Sequence, residues 1–415
     1  MNQTGPPRDL SRQGTRTLIV YSRPRSRPWS ATWHEGHHMT PQHTHPAPTP
    51  SCALQSFEGA TVLVTGGAGL IGSRIVRRLR SLGATPLALC TLDAYPPDVY
   101  RTLFGTDAAG DDVVVGDVRD AAAVQQVMRR ADYVVHAAAL ADVAACTRRP
   151  QDAIDHNITG TQTVLAAAAA SDRLKRLVFV SSASVYGNGN PDDWTGPRDE
   201  HRTTRELLAA VYGRTVPRFA EHAPLRPLSV YANTKAFGEV QTALQLSAVG
   251  TPYAVVRYFS VYGEPQVIKP GSHSWVVAWF AARAALGLPL QLNGGGHQVR
   301  DLVHVDDIAD GTLHALASPA ADGETVNIGT GCPTTIRRVA DLIAAHYPGT
   351  QVLETPMPPG DPLGGCASTT HMERVLGWRP RIALEDGIAR YVRWLHATPA
   401  ALPAWLRSET AAKPG

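Results

Sequence analysis

A glycine-rich turn between a predicted strand and a predicted helix is the feature that most constrains how this chain folds. Thr61–Thr65 is a β-branched apolar run, glycines follow at positions 66, 69 and 72, and Ile71–Leu82 continues with apolar residues at helical spacing. Such glycines allow a tight turn and a close approach of the backbone to a pyrophosphate, and the first helical turn offers free N–H groups to an anion. Because a strand precedes the turn and a helix follows it, the pattern predicts a dinucleotide-binding turn.

Short apolar strands alternate with helical segments along much of the chain, which predicts an α/β fold. The further predicted strands are Leu87–Asp93, Val113–Val115, Tyr133–Val135 and Leu177–Val180. Strands that are apolar on both faces are typical of parallel sheets covered by helices on both sides. After Phe259 the pattern is less regular, although 279–286 and 336–346 are helical. We therefore predict a Rossmann-type doubly wound parallel sheet with a smaller C-terminal lobe of mixed α/β structure that binds the substrate.

Charge and cysteine content exclude several classes of protein. The first 50 residues carry six arginines against two acidic residues, whereas the whole chain has a net charge of +3, so the remainder sums to −1. The body of the chain thus lacks the basic excess of nucleic-acid-binding proteins. No apolar run approaches the roughly 18 residues that a membrane span needs. Five cysteines without a Cys-x-x-Cys pair indicate neither a disulfide framework nor a zinc site, and we expect a cytoplasmic protein without a metal.

Two aspartates predict which dinucleotide binds. Asp93 is expected to close the second strand, 21 residues after Gly72. A carboxylate there can accept hydrogen bonds from the adenosine ribose hydroxyls and would repel a 2′-phosphate, which favours NAD over NADP. Asp117 follows the third strand, where it could meet adenine, while Asp120 could equally cap the next helix.

These observations divide the chain into four parts. Residues 1–58 are rich in Pro, Arg, Ser, Thr and His, with almost no apolar periodicity, which predicts a disordered extension rather than a secretory signal. Five histidines between positions 34 and 45 are interpreted as part of this tail and not as a metal-binding tract. We predict that residues 59–258 mainly form the NAD-binding domain, that 259–400 mainly form the substrate lobe, and that 401–415 are a tail.

A tyrosine and a lysine four residues apart are candidates for acid–base chemistry. Tyr231 and Lys235 share one face of a predicted helix. A phenol has an unperturbed pKa of ~10, and a nearby ammonium favours the phenolate, so the pair can transfer protons near neutral pH. The pair follows Ser181–Gly187, which ends the strand at Leu177. Ligands bind at the carboxyl ends of parallel strands, which places these serines beside the predicted cofactor.

In the order of these motifs, the sequence resembles the extended short-chain dehydrogenases/reductases, the NAD-dependent nucleotide-sugar epimerase/dehydratase family. The resemblance runs from about Thr61 to Leu395. Its matching segments are Thr65–Gly72, Gly116–Asp120, His136–Ala139, Asn157, Ser181–Gly187, Tyr231–Lys235, Arg257–Gly263, Arg300–Asp307, Asn327–Thr330, Gly360–Asp361 and Leu376–Pro380.

The resemblance implies a role for each candidate residue. Tyr231 would be the base, Lys235 would lower its pKa and hold the nicotinamide ribose, and Ser182 would hydrogen-bond the reacting sugar hydroxyl. The substrate would be bound by Ser184, Ser260, Arg300 and Asp361, of which Arg300 would grip the nucleotide diphosphate and Asp361 would reach the nucleotide ribose. The cofactor would be bound by Gly66, Gly69, Leu70, Ile71, Gly72, Asp93, Asp117, Val118, Ala137, Ala138, Tyr231, Lys235 and Tyr258.

The sequence departs from the family pattern in three places. Ser260 stands where many relatives have Asn, and Pro358 stands where they often have an arginine that contacts a phosphate. The segment Asn188–Pro227 is longer than usual and rich in charged residues and proline. It lies between the serines and the tyrosine, so it either overhangs the sugar or is a solvated insertion.

Ala183 and Ser184 bear on which reaction of the family this chain performs. Dehydratases typically carry Asp-Glu at these positions, because elimination needs an acid and a base, and decarboxylases usually carry a glutamate in place of Ser184. The leading interpretation is a C4 epimerase of a nucleoside diphosphate hexose, of the UDP-glucose/UDP-galactose type. A 4-ketoreductase or dehydratase, and a non-catalytic NAD-sensing protein, are the alternatives.

The resemblance also implies a homodimer that binds a nucleotide sugar, and no nucleic acid or membrane. Relatives pair two helices from each subunit. The candidate helices here are the one that carries Tyr231 and an earlier one, either at Val124–Arg130 or at Ile158–Ala170.

Overall fold

A seven-stranded parallel sheet organises the part of the chain that the computed structural model describes, residues 54–104, 113–188, 218–269, 275–356 and 364–411. All of these residues belong to one unit, Ala47–Gly415. The strands are β1 (Thr61–Thr65), β2 (Thr85–Cys90), β3 (Val113–Val115), β4 (Tyr133–His136), β5 (Arg176–Ser182), β6 (Arg218–Phe219), β7 (Tyr253–Tyr258), β8 (Ser260–Tyr262), β9 (Leu290–Asn293), β10 (Val299–His304), β11 (Thr325–Ile328), β12 (Pro333–Thr335), β13 (Val352–Thr355) and β14 (Cys366–Ala367).

Thirteen α-helices are present in the same described ranges. They are α1 (Leu70–Ser81), α2 (Pro97–Phe104), α3 (Ala121–Met128), α4 (Val143–Arg148), α5 (Pro150–Ile154), α6 (Gly160–Ala169), α7 (Val230–Val249), α8 (Val276–Ala285), α9 (Val305–Ala317), α10 (Ile336–Ala344), α11 (Thr370–Leu376), α12 (Leu384–Ala397) and α13 (Ala404–Ala411). A π-helical turn at Asp155–Thr159 joins α5 to α6, and a 3₁₀ turn at Ala183–Tyr186 follows β5. Within these ranges no helix is both long enough and apolar enough to cross a membrane.

The large sheet has the strand order β3-β2-β1-β4-β5-β7-β11, and every neighbouring pair is parallel. The order reverses direction between β1 and β4, so a crevice opens at the carboxyl ends of these two strands. The edge strand β11 comes from Thr325–Ile328 and pairs with β7, so the chain returns to this sheet after entering the lobe. The division of domains at residue 258 stays a prediction.

Alternate residues of each strand bury opposite faces of the large sheet. Val62 and Val64 of β1 belong to the apolar cluster that includes α1 and α9, whereas Leu63 belongs to the cluster that includes α3, α6 and α7. Both faces are therefore covered by helices. The doubly wound parallel sheet predicted from the strand pattern is confirmed.

The C-terminal part of the chain forms smaller sheets and supplies most of another apolar cluster. Strand β10 pairs with β8 in parallel and with β12 antiparallel, while β9 pairs with β13 and β6 with β14, both in parallel. Helices α8, α10 and α12 bury Phe280, Ile343 and Ile388 in one cluster. The C-terminal lobe thus mixes α and β structure, as the irregular sequence pattern predicts.

Two predicted boundaries are wrong by a few residues. Residues 1–53 of the predicted extension lie outside the described residues, but Leu54–Phe57 forms a 3₁₀ turn, and Phe57 is fully buried with its ring edge against Tyr133. The predicted tail at 401–415 instead begins as helix α13. Leu406 is buried there and the ring of Trp405 stacks on Trp279, because a few large apolar side chains suffice to hold a short terminal helix on the lobe.

Helix α7 lies close against β5 because a glycine faces the sheet. A Cβ atom at Gly238 would come within 2.2 Å of Cζ of the buried Phe179. Ser229 begins the helix by accepting a hydrogen bond from the Ala232 N–H. The close approach brings the first turns of α7, which carry Tyr231 and Lys235, alongside the carboxyl end of β5.

We therefore expect Gly238→Ala to lower the free energy of unfolding by about 1–3 kcal/mol, as overpacking of a filled core does. Urea unfolding followed by tryptophan fluorescence measures the change. Phe179→Leu removes the ring atoms that the new methyl group would meet. In the Phe179→Leu background, Gly238→Ala should lower the free energy of unfolding by less than it does in the wild type. If the effects of the two substitutions simply add, the contact between Gly238 and Phe179 does not explain the loss.

Candidate active site

The glycine turn after β1 has the shape and the free donors that an anion needs. Gly66 has φ of +70°, a left-handed conformation that favours glycine, and a Cβ atom at Gly72 would lie 2.2 Å from the Gly66 carbonyl oxygen. Gly69 precedes α1, and no side chain among the described residues caps the helix. The N–H groups of the first helical turn therefore remain available, and the turn fits the pyrophosphate of a dinucleotide.

A buried polar relay behind the turn holds the ends of β1 and β4 together. Thr65 Oγ1 lies 2.8 Å from His136 Nδ1 and accepts a hydrogen bond from the Ala138 N–H at 3.1 Å, while His136 Nε2 lies 2.9 Å from Thr161 Oγ1. Burial lowers the pKa of His136 to about 3, so its ring is neutral. The relay places the predicted cofactor residues Ala137 and Ala138 beside the glycine turn. Sequence reasoning assigned no role to Thr65, His136 or Thr161.

The adenosine end of the predicted cofactor site differs from expectation in one respect. Strand β2 ends at Cys90, and the left-handed conformation of Leu92, with φ of +57°, turns the chain before Asp93. Asp93 therefore follows the strand in a loop instead of closing it, and it accepts a hydrogen bond from the Thr91 hydroxyl.

Asp117 and its neighbours occupy the end of β3. Asp117 forms an ion pair with Arg119, with 2.6 Å between Oδ2 and Nη2, and this pairing lowers the pKa of Asp117. Val118 is buried, and Asp120 caps α3 by accepting hydrogen bonds from the Ala122 and Ala123 N–H groups. The capping alternative for Asp120 is confirmed, and the adenine contact of Asp117 stays a prediction.

Ser182, Tyr231 and Lys235 lie together at the carboxyl end of β5. Ser182 Oγ accepts a hydrogen bond from the Ser184 N–H at 3.2 Å, which leaves the hydroxyl hydrogen to donate to Tyr231. Lys235 Nζ donates to the Val180 carbonyl at 2.8 Å and lies 6.0 Å from the centroid of the Tyr231 ring. The three candidate catalytic residues are therefore brought into one group.

Burial moves both titratable members of this group toward their neutral forms. It raises the pKa of Tyr231 to about 12, against the opposing effect of the hydrogen bond from Ser182. It lowers the pKa of Lys235 to about 8, although Cys146 and Glu239 act in the other direction. Lys235 does not lower the pKa of Tyr231 in this arrangement, because its ammonium donates to the Val180 carbonyl. The predicted role of Lys235 in lowering that pKa therefore stays a prediction.

Asn157 fixes the helix that carries the tyrosine. Its amide oxygen accepts a hydrogen bond from the Leu140 N–H at 2.7 Å, and its Nδ2 donates to the Leu140 carbonyl and to Thr234 Oγ1. Asn157 lies in the π-helical turn, a distortion that often marks functional sites. It links the loop after β4 to α7 one residue before Lys235.

A buried ion pair lies directly behind the catalytic group. Arg257 of β7 donates to both carboxylate oxygens of Glu239 in α7, at 2.9 and 2.7 Å. Glu239 also accepts a hydrogen bond from Ser181, the residue before Ser182. Arg257 donates in addition to Tyr186 Oη at 2.7 Å, and Tyr186 donates to Asn327. Sequence reasoning missed this network, although Arg257 and Asn327 lie in the motifs that carry the resemblance.

Of the predicted substrate residues, Ser184 lies in the turn after β5 and Ser260 begins β8. Ser184 Oγ is buried and has no hydrogen-bond partner among the described residues, so it fits a position that a ligand hydroxyl completes. Ser260 is half-buried at the start of β8, whereas Tyr258 is buried with its hydroxyl 2.6 Å from Thr312 Oγ1. Any contact of Tyr258 with a cofactor would therefore involve its backbone.

Arg300 and Asp301 support the chain segment that follows Asp361. Arg300 Nη1 donates to the Val299 carbonyl and lies 2.7 Å from where a Cβ atom of Gly364 would be. The buried Asp301 accepts hydrogen bonds from the N–H groups of Gly331 and Ala367, at 2.9 and 3.0 Å. Asp361, Pro358 and most of the 188–227 insertion lie outside the described residues.

Comparison with known proteins identifies the family. The family model described as NAD dependent epimerase/dehydratase family matches residues 62–207 and 208–329. The chain belongs to this family.

Individual members agree with the match. The chain is 30% identical over 351 residues to the dTDP-L-rhamnose 4-epimerase of Burkholderia thailandensis, covering 81% of this chain and 95% of that protein. It is 29% identical over 337 residues to the UDP-glucose 4-epimerase of Mycolicibacterium smegmatis, covering 80% and 97%. The solved UDP-glucose 4-epimerase of Thermus thermophilus, in complex with NAD, has a TM-score of 0.67 and 30% identity, covering 81% of this chain and 99% of that one.

These similarities confirm the resemblance, the Rossmann-type fold and the cofactor that the sequence predicts. The protein is an NAD-dependent enzyme of a family whose members are nucleotide-sugar epimerases and dehydratases. The glycine turn, with its uncapped helix, fits NAD in this chain.

One cluster of side chains has the residue types of a metal site, but its carboxylates bind arginines. Glu264, His304 and Asp306 place ligand-type atoms within 4.8 Å of one another. Arg390 donates to both carboxylates, at 2.8 and 2.6 Å, and Arg74 donates to Asp306 at 2.6 Å. The guanidinium groups supply the positive charge that a metal would bring, so the cluster joins α1 to α12 as an ion-pair network.

We expect Glu239→Gln to lower the free energy of unfolding by about 3–5 kcal/mol, because it leaves the Arg257 guanidinium buried without its counter-charge. Both side chains of the pair are less than a tenth exposed. Urea unfolding at a fixed NAD concentration measures the change.

Glu385→Gln is the matched control, because Glu385 pairs with Arg338 at 2.9 Å where both side chains are more than half exposed. That substitution should cost less than about 1 kcal/mol. If both variants lose the same free energy of unfolding, burial of the Arg257–Glu239 pair does not increase its contribution to stability.

Proposed function

We propose that this enzyme interconverts the C4 epimers of a nucleoside diphosphate hexose, of the UDP-glucose/UDP-galactose type, through a 4-keto intermediate. The observation that carries the proposal is the grouping of Ser182, Tyr231 and Lys235 with Ala183 and Ser184 as neighbours. The activities of two relatives, a dTDP-L-rhamnose 4-epimerase and a UDP-glucose 4-epimerase, support reaction at C4.

Each member of the group has one task in this proposal. Tyr231 takes the proton of the C4 hydroxyl and later returns it, and Ser182 hydrogen-bonds the same oxygen. Lys235 supplies the positive charge that favours the tyrosinate, from a position 6.0 Å from the ring centroid. Bound NAD supplies the hydride acceptor and donor. The unpartnered Ser184 hydroxyl, with Ser260, binds sugar hydroxyls, while Arg300 and Asp361 bind the nucleotide.

The neighbours of Ser182 argue against dehydration. Removal of water across C5 and C6 needs one group to protonate the leaving C6 hydroxyl and another to take the C5 proton. Ala183 carries no titratable group, and the Ser184 hydroxyl is neither acidic nor basic near neutral pH. The same reasoning disfavours decarboxylation.

We also propose that the enzyme is a cytoplasmic homodimer joined through α6 and α7. Val240 and Leu244 of α7 are more than half exposed, and Gln245 of α7 exchanges hydrogen bonds with Gln162 of α6. Helix α3, the other candidate, exposes no large apolar side chain, whereas α6 adjoins α7 through the Gln162–Gln245 hydrogen bonds. The adjoining outer faces of α6 and α7 are therefore the better supported dimer surface.

The activity is tested by incubating the purified full chain in D₂O with UDP-, dTDP- and GDP-hexoses and no added reductant. We expect C4 epimers of at least one substrate, with no deuterium at C5, because no C5–H bond breaks. Tyr231→Phe should lower the rate by roughly 10² to 10⁴ while NAD stays bound, because it removes the hydroxyl that moves the proton.

Three outcomes would contradict the proposal. A stable 4-keto-6-deoxy product, or deuterium at C5, would show that elimination occurs despite Ala183 and Ser184. Turnover that consumes added NADH or NADPH in proportion to product would show a ketoreductase. Near-normal turnover by Tyr231→Phe would reject the role of this tyrosine.

A further inference from the structure

Lys269 belongs to the part of the sequence assigned to the lobe, yet it lies beside the predicted cofactor site. The preceding residues Val267 and Ile268 are buried in the apolar cluster that also contains Ala68 of the glycine turn. Leu92 and Tyr95, which flank Asp93, pack against the same cluster. The chain leading to Lys269 therefore shares one apolar cluster with the glycine turn and with the loop that carries Asp93.

The ammonium of Lys269 rests on an aromatic ring. Its Nζ lies 4.3 Å from the centroid of Tyr95, whose ring packs edge-on against Tyr100 at 5.5 Å. Asp142 and Asp93 act on this charge from beyond ion-pair distance, and burial lowers the pKa of Lys269. In the described parts of the chain no carboxylate forms an ion pair with it. A half-buried cation held this way retains N–H donors for a further partner.

Other cationic side chains on the elements that form the predicted cofactor site already have polar partners. Arg119 is held by Asp117 at 2.6 Å, Arg74 by Asp306 at 2.6 Å, and Lys235 donates to the Val180 carbonyl at 2.8 Å. Lys269 differs from these three in having an aromatic face as its closest described partner. A phosphate would satisfy its charge and its donors together.

We propose that Lys269 binds a phosphate group of the dinucleotide cofactor from the lobe side. The cofactor is then held between the glycine turn on one side and a lysine of the lobe segment on the other. The inference goes beyond the proposed function and does not depend on which sugar reacts. The phosphate has two possible sources, the pyrophosphate of NAD and the 2′-phosphate of NADP, which Asp93 by itself would repel.

The test compares Lys269→Met, which keeps the aliphatic stem, with Lys269→Arg, which keeps the charge. The full chain, freed of bound nucleotide, is titrated calorimetrically with NAD, ADP-ribose and NADP at several salt concentrations. Lys269→Met should weaken the binding of NAD and of ADP-ribose about 10- to 100-fold, because it removes a charged hydrogen bond. The substitution should also reduce the salt dependence of Kd. Lys269→Arg should retain most of the affinity.

Lys175→Met is the matched control. Lys175 also lies over a tyrosine ring, 5.5 Å from the centroid of Tyr133, but it is near Asp132 at the opposite ends of the strands. Lys175→Met should leave the affinities for NAD, ADP-ribose and NADP unchanged. Weakened binding of NADP with unchanged NAD would support the proposal and assign Lys269 to the 2′-phosphate.

Three results would overturn the proposal. These are unchanged affinity of Lys269→Met for all three nucleotides, a loss in Lys269→Arg as large as in Lys269→Met, or weaker binding with the salt dependence of the wild type. A fall in the melting temperature of the nucleotide-free Lys269→Met protein that is large enough to account for the weaker nucleotide binding would also reject phosphate binding. It would assign Lys269 a structural role instead.

Discussion

The buried ion pair between Arg257 and Glu239 is the interaction on which the arrangement of the active site depends. It joins β7 to α7, and through Ser181 and Tyr186 it reaches the end of β5 and the turn after it. Two charges removed from water must remain paired, so none of these elements can shift without exposing an uncompensated charge. Ser182 directly follows Ser181 on β5, and Tyr231 lies about two helical turns before Glu239 on α7, so the pair ties together the two elements that carry them.

The same network connects the edge strand β11 of the large sheet to the short strand β6. Tyr186 donates to Asn327 at the end of β11, and the Asn327 side chain donates to the Phe219 carbonyl in the short strand β6. Phe219 in turn stacks on Tyr186 with their ring centroids 4.8 Å apart. The chain that leaves the long insertion is therefore fixed against the 3₁₀ turn Ala183–Tyr186 that follows Ser182. One set of contacts thus holds both this segment and the turn that contains the candidate substrate residue Ser184.

The sequence predicts the regular elements well because their signals are local. Short, continuous apolar runs predict β1 and β3 with the observed bounds, and the glycine turn predicts the start of α1 to within one residue. Tyr231, Lys235 and Ser182 come from motifs of fixed spacing. Partners such as Thr65 and His136, 71 residues apart, carry no comparable signal, because only the folded sheet brings β1 beside β4. The turn at Leu92 and the short terminal segments are likewise decided by tertiary packing.

The pKa values of Tyr231 and Lys235 bear on the proton transfer that we propose for this pair. With a pKa of about 12, forming the Tyr231 anion at pH 7 costs roughly 7 kcal/mol before any ligand is bound. Lys235 does not offset this cost while its ammonium donates to the Val180 carbonyl. In the proposed mechanism, reorientation of Lys235 and the hydrogen bonds of a bound sugar would have to supply it. The proposed proton transfer by Tyr231 would then be coupled to occupancy of the site, because burial favours the protonated phenol.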